Sequence, residues 1–153
     1  EDSKLLSNLI KEKGEPIHTT LYRKEWLHQI IGGTPKEYYK DPHSFENLVL
    51  DKVITPGGFL STCTEHSGAF SGMDIIFNEI RSKGLDISEM PLNVEQYDRE
   101  NEVLFDKGTS YKITKIGYYK CETGEIYDTY EDFMNNYKED ENRFMFKIYA
   151  TIL

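Results

Sequence analysis

Hydrophobic positions along the chain fall into short runs of two periods. Leu5, Leu6, Leu9 and Ile10 recur at helical spacing behind Asp2 or Ser3 as cap, which predicts a helix over 2–12, ended by Gly14 and Pro16. The stretch IHTTLYRKEW, 17–26, is β-branched and aromatic with partial alternation, and predicts a strand through Tyr22 or Arg23. Gly32, Gly33, Pro35 and Pro42 then break the pattern, leaving a loop with one short helical piece near 44–51. Pro56-Gly57-Gly58 marks a turn into the strand-like FLSTCT. A loop at HSGAFSG follows, then a strand at MDIIFNEI whose length also allows a helix. SKGLDISEM predicts a turn and then a loop. EVLF and SYKITKIGYY read as strands joined across Asp106-Lys107-Gly108, a three-residue hairpin signal. YEDFMNNYK is a short helix or loop, and FMFKIYATIL is a closing strand.

One helix followed mostly by strands argues for an α+β fold with largely antiparallel sheets rather than a βαβ series. The length of 153 residues suits a single domain over 1–153. The 11 tyrosines and 8 phenylalanines lean toward β structure. A net charge of −9 gives a surface that repels phosphate backbones, which argues against nucleic acid or an anionic membrane as partner. A small anion in a local basic pocket remains compatible with it. No apolar run approaches the length needed to span a bilayer. Cys63 and Cys121 lack CxxC or Cys/His spacing, so the expectation is two free or buried thiols and no structural zinc; a disulfide cannot be deduced. The chain starts at Glu1 with no visible signal peptide and reads as a mature product or an excised domain.

Three short features could carry chemistry. Glu100 and Glu102 flank Asn101 at the start of a strand-like run. In an extended strand, residues two apart share a face about 6 to 7 Å from one another. Two such carboxylates repel unless a cation or a raised pKa offsets the repulsion. They suit chemistry through a cationic transition state, as in glycoside cleavage; the ordinary alternative is a solvated acidic strand end. Arg23, inside the run LYRKEW, is costly to bury unless it meets an anion, and its planar fork fits phosphate oxygens; the alternative is an edge arginine in water. Ser61 and Thr62, after the Gly-Gly turn, can position a carboxylate or line a narrow cleft, or simply edge a strand. His66 is the histidine near Ser61, and nothing in the sequence orients it as a triad base.

The order of these features resembles the R-S-E class of mono-ADP-ribosyltransferases, the catalytic domains of bacterial toxins. An arginine on an early strand precedes Ser-Thr-x on a middle strand, and Glu-x-Glu opens a late one. The intervals are 38 residues from Arg23 to Ser61 and 41 from Ser61 to Glu102. LYR resembles the aromatic-Arg motif, GGFLSTC the Ser-Thr-Ser strand, and DIIFNEIRSKGLDIS the strand and turn before the catalytic loop. YDRENEVLFDKGTSYKI resembles the family's aromatic-x-x-Glu-x-Glu pattern closely, and the resemblance runs from about residue 3 to 153. It implies two packed, mostly antiparallel β-sheets around an NAD cleft with an N-terminal helix.

The resemblance also implies roles. Arg23 would grip the NAD phosphates, and the backbone of Lys24 would hold the nicotinamide amide. Ser61 would orient Glu102, and Thr62 would help shape the cleft. Glu102 would hold the nicotinamide ribose and stabilise the cation formed as nicotinamide leaves. Glu100 would engage the acceptor, with Tyr97 on the loop that meets the target protein. Phe70 would stack on nicotinamide or serve the core. Cys63 departs from the usual last serine, and Lys24 from the common glycine. NAD is implied as co-substrate, with no metal. A glutamate at position 100 implies an arginine acceptor on a host protein such as actin, a small GTPase or another cytoskeletal protein; water as acceptor, giving an NAD glycohydrolase, is the alternative. Secretion by a bacterium, action in the host cytosol, a translocation component and flanking domains all go with the resemblance. Contact of this domain with nucleic acid or membrane does not.

Overall fold

The computed structural model describes residues 2–25, 27–65, 74–87, 101–121, 123–136 and 144–153. Helix α1 (Asp2–Lys13) runs along the predicted segment. Strands β1 (Glu15–Pro16) and β2 (Leu21–Arg23) follow, then helices α2 (Leu27–Ile31), α3 (Pro35–Lys40) and α4 (Pro42–Val49). Next come β3 (Val53–Ile54), β4 (Leu60–Cys63), β5 (Ile75–Ile80), β6 (Lys83–Asp86) and β7 (Glu102–Phe105). The chain closes with β8 (Tyr111–Lys120), β9 (Ile126–Tyr127), α5 (Tyr130–Asn135) and β10 (Phe144–Ile152).

The strands join along one path, β1-β6-β7-β4-β2-β5-β10-β8-β3, with β9 on β8. Every pairing is antiparallel except β10 with β5. The path is thinnest between β4 and β2, where Tyr22 opposite Cys63 is the single paired position. Two halves therefore meet there, and the main core fills the space between them. Leu60, Val103 and Phe105 come from one half; Leu21, Ile75, Phe77, Tyr111 and Phe146 come from the other, all buried. A smaller cluster of Ile10, Leu85, Ile87 and Leu104 seals α1 onto the opposite face of β6 and β7. Ser7 Oγ donates to Asp106 Oδ1 at 2.6 Å and ties the same helix to the end of β7.

Three expectations need correction. The region 32–43 is not a loop broken by prolines, because the prolines start helices. Thr34 caps α3 in a reciprocal box with Glu37, and Asp41 caps α4 just before Pro42. Proline fits the first helical position, where its missing N–H is not needed. The stretch after Ser82 is strand β6 rather than a turn and loop. Gly84 serves there as a packing site: a Cβ on it would lie 2.8 Å from the Phe105 ring. The Asp106-Lys107-Gly108 turn forms, with Gly108 at φ 85 and Thr109 N donating to Asp106 O at 3.1 Å. Yet it makes no hairpin. β7 pairs with β4 and β6, while β8 pairs with β10, β3 and β9, so the turn carries the chain from one half to the other.

Candidate active site

Arg23 ends β2, Ser61 sits in β4 and Glu102 opens β7, and these three strands are neighbours. The register sets Cys63 opposite both Tyr22 and Glu102, and Ser61 opposite Leu104. Directly opposed residues share a face. Ser61, Cys63, Glu102 and Leu104 therefore lie on one face of the β4–β7 pair, with Ser61 diagonal to Glu102. Thr62 and Val103 lie on the other. Helix α1 covers that first face at Leu104, whereas Cys63 is exposed and Ser61 and Glu102 are half-buried.

Arg23 is held at two atoms. Nε donates to Glu25 Oε2 at 2.8 Å, and Nη1 donates to the Ser61 carbonyl at 2.9 Å. The side chains of Arg23 and Glu25 are 23% and 18% exposed, so the pair is largely withdrawn from water. The anion that the sequence demanded for this arginine is thus supplied two residues away. Five N–H groups stand on a guanidinium, so three have no partner among the described residues after these two bonds. A half-buried fork with free Nη hydrogens fits a pyrophosphate. Near enough to feel both charges is Tyr111, fully buried against Phe77, with a hydroxyl that has no hydrogen-bond partner among the described residues. Burial pushes the Tyr111 phenol above its ordinary range; the charge of Glu25 adds to the rise and Arg23 opposes it.

Thr62 is only 1% exposed, and its hydroxyl donates to the Val103 carbonyl at 2.9 Å. Its polar group is spent on fastening β4 to β7. Lys24 is exposed beyond the end of β2. No hydrogen bond joins the Ser61 hydroxyl to the Glu102 carboxylate; the Glu102 carbonyl accepts from Ile87 N at 3.1 Å. Glu100, Tyr97, Phe70 and His66 lie outside the described residues.

Asn101 changes the geometry expected of the glutamate motif. Its φ is 66, in the left-handed region, and its carbonyl accepts from Thr64 N at 2.8 Å. Extended strand geometry therefore begins at Glu102 and does not run through Asn101, so alternation cannot be used to set positions 100 and 102 on one face. Two contributors escaped the sequence reading. The string Arg-Lys-Glu held the signal for Glu25, an acid two residues from a costly arginine. Tyr111 gave none, because its neighbourhood arises from strands distant in sequence.

A cavity of about 330 Å³ lies elsewhere, lined by residues including His43, Glu46, Lys115, Asp128 and Tyr130. Several of its charged groups are already engaged: Lys115 with Asp128 at 2.8 Å, and Glu46 with the Tyr118 hydroxyl. Arg23, Ser61 and Glu102 do not line it. Among the described residues no group of three His, Cys, Asp or Glu is arranged to hold a metal ion.

The model of the ADP-ribosyltransferase exoenzyme family matches residues 1–143. The chain belongs to this family. Its chemistry is the transfer of ADP-ribose from NAD, and the R-S-E order of Arg23, Ser61 and Glu102 fits it. Solved exoenzyme structures share the fold. C3larvin toxin, an ADP-ribosyltransferase from Paenibacillus larvae, is 17% identical with a TM-score of 0.59, over 99% of this chain and 69% of that one. C3stau2 from S. aureus, solved with NAD, is 16% identical with a TM-score of 0.61, over 99% and 69%. BECa, an ADP-ribosylating toxin of a binary enterotoxin of C. perfringens, solved with NADH, is 21% identical with a TM-score of 0.64. It is covered over only 34% of its length, against 99% of this chain. No curated protein matches the sequence.

Proposed function

We propose that this exoenzyme domain transfers ADP-ribose from NAD to an arginine side chain of a host protein, releasing nicotinamide. The contiguity of Arg23, Ser61 and Glu102 across three neighbouring strands carries the reading. Arg23 offers its remaining N–H groups to the pyrophosphate, and the main chain at Lys24 meets the nicotinamide amide. Glu102 stabilises the positive charge that develops on the ribose as the glycosidic bond breaks and its electron pair leaves with nicotinamide. Ser61 steers Glu102, Thr62 keeps β4 and β7 in register beside the cleft, and Phe70 stacks on the nicotinamide ring.

Arginine as acceptor rests on Glu100. A carboxylate pairs with a guanidinium in fork geometry and can take the proton the attacking nitrogen loses, whereas an amide there would suit an amide acceptor. Tyr97 meets the target protein, in the class of actin, a small GTPase or another cytoskeletal protein. The domain acts in the host cytosol after secretion by a bacterium. BECa belongs to a binary toxin, which favours a separate translocation component here too.

Incubation of the domain with labelled NAD and a host-cell extract tests the reading. Label on a protein band, mapped to arginine by mass spectrometry, is the expected result. Free ADP-ribose with no labelled protein would make it an NAD glycohydrolase. Glu100→Gln should remove protein labelling and leave much of the NAD hydrolysis; equal loss of both would refute the role of Glu100.

A further inference from the structure

In the proposed function Arg23 binds the pyrophosphate, a task that requires its guanidinium to be aimed. An arginine side chain carries large rotamer freedom, and an anion that must first order it binds more weakly than one meeting a fixed fork. Here the guanidinium is fixed from two sides. The Ser61 carbonyl holds Nη1 at 2.9 Å, and Glu25 holds Nε at 2.8 Å. We propose that Glu25 is a positioning residue for dinucleotide binding: by occupying Nε it turns the Nη end of Arg23 toward the pyrophosphate.

Three observations favour this over a chance surface ion pair. Both side chains are largely buried, so the pair is screened less than exposed pairs are. The acid and the arginine are two residues apart in LYRKEW, and Arg23 ends its strand, so the backbone itself sets their approach. On the core side, the Tyr111 hydroxyl lies within electrostatic reach of the pair and makes no bond to either partner. The carboxylate is therefore the one ionic anchor on Arg23 among the described residues. Glu25 also carries a negative charge near the place where the pyrophosphate would sit. If that repulsion outweighed the ordering, the carboxylate would hinder NAD rather than help it. Glutamine separates the two effects, since its amide oxygen accepts the Nε hydrogen without the charge.

The inference rests on Arg23 being the pyrophosphate ligand, and the test keeps the two claims apart. NAD cleavage kinetics, NAD affinity by calorimetry and thermal melting are measured for wild type, Arg23→Ala, Glu25→Ala, Glu25→Leu and Glu25→Gln. Glu25→Ala is expected to raise KM for NAD about tenfold, with kcat within about twofold. Glu25→Gln is expected to stay within about threefold of wild type in KM. A purely structural role would lower melting temperature without that split or that rescue. If Glu25→Ala fails to fold, Glu25→Leu, which keeps bulk and loses the acceptor, takes its place. A KM at or below wild type in Glu25→Ala or Glu25→Leu, with Arg23→Ala strongly impaired, overturns the positioning role and leaves the family reading intact. Wild type that neither binds nor cleaves NAD, or an Arg23→Ala variant with unchanged KM, overturns both.

Discussion

Arg23 donates through Nη1 to the main-chain carbonyl of Ser61 at 2.9 Å. The arginine of the first motif is thus fastened to the backbone of the second motif, not to its hydroxyl. Lysine in its place has a single compact ammonium and no planar fork, so it does not reproduce the spread of donors that meets Glu25, the Ser61 carbonyl and an anion together. Arg23→Lys is expected to raise KM for NAD about tenfold or more. Ser61→Ala keeps the carbonyl and should leave NAD affinity close to wild type while lowering kcat. Calorimetric binding of NAD to both variants checks the contrast.

Asn101 stands between the two glutamates at φ 66. Asparagine and glycine tolerate that conformation, and a β-branched residue does not. Asn101→Gly should hold its stability within about 0.5 kcal/mol, whereas Asn101→Val should lose about 1 to 2 kcal/mol. Equal urea midpoints for the two variants would contradict the left-handed conformation.

Tyr111→Phe removes a buried hydroxyl that has no hydrogen-bond partner among the described residues. Such a deletion costs little or stabilises, by up to about 1 kcal/mol. A loss of more than about 1.5 kcal/mol would mean that the hydroxyl has a partner in solution.

Three tyrosines predict an alkaline limit. Burial pushes Tyr39 up to about 12 and raises Tyr111 and Tyr118 as well, the latter helped by its bond to Glu46. In the unfolded chain a tyrosine titrates near about pH 10. Above that pH the unfolded chain releases protons that the fold retains, so unfolding becomes easier. Stability should be level below about pH 10 and fall as pH rises toward about 12. Melting curves across that range, with ultraviolet titration of the phenols, check it.

The strands bearing Arg23, Ser61 and Glu102 are legible in the sequence because their β-branched and aromatic runs are short and bounded by Gly, Pro or polar residues. The helix of Leu5, Leu6, Leu9 and Ile10 is legible for its clean period. Helices α3 and α4 are not, since Pro35 and Pro42 read as breakers until Thr34 and Asp41 are recognised as their caps. The destination of the Gly108 turn is hidden for another reason. A turn signal states that the chain reverses locally, but which strands then pair depends on the core. The motif intervals reveal which residues belong together; the fold pairs Glu25 with Arg23, which the string Arg-Lys-Glu only hints at, and makes Asn101 the bend before Glu102.

NAD cleavage in the proposed function depends on Glu102. The most direct measurement is the rate of nicotinamide release from NAD by Glu102→Gln beside wild type, both with the same melting temperature. The expected result is a loss of about a hundredfold or more in kcat with NAD affinity largely kept. A rate within about threefold of wild type would contradict it.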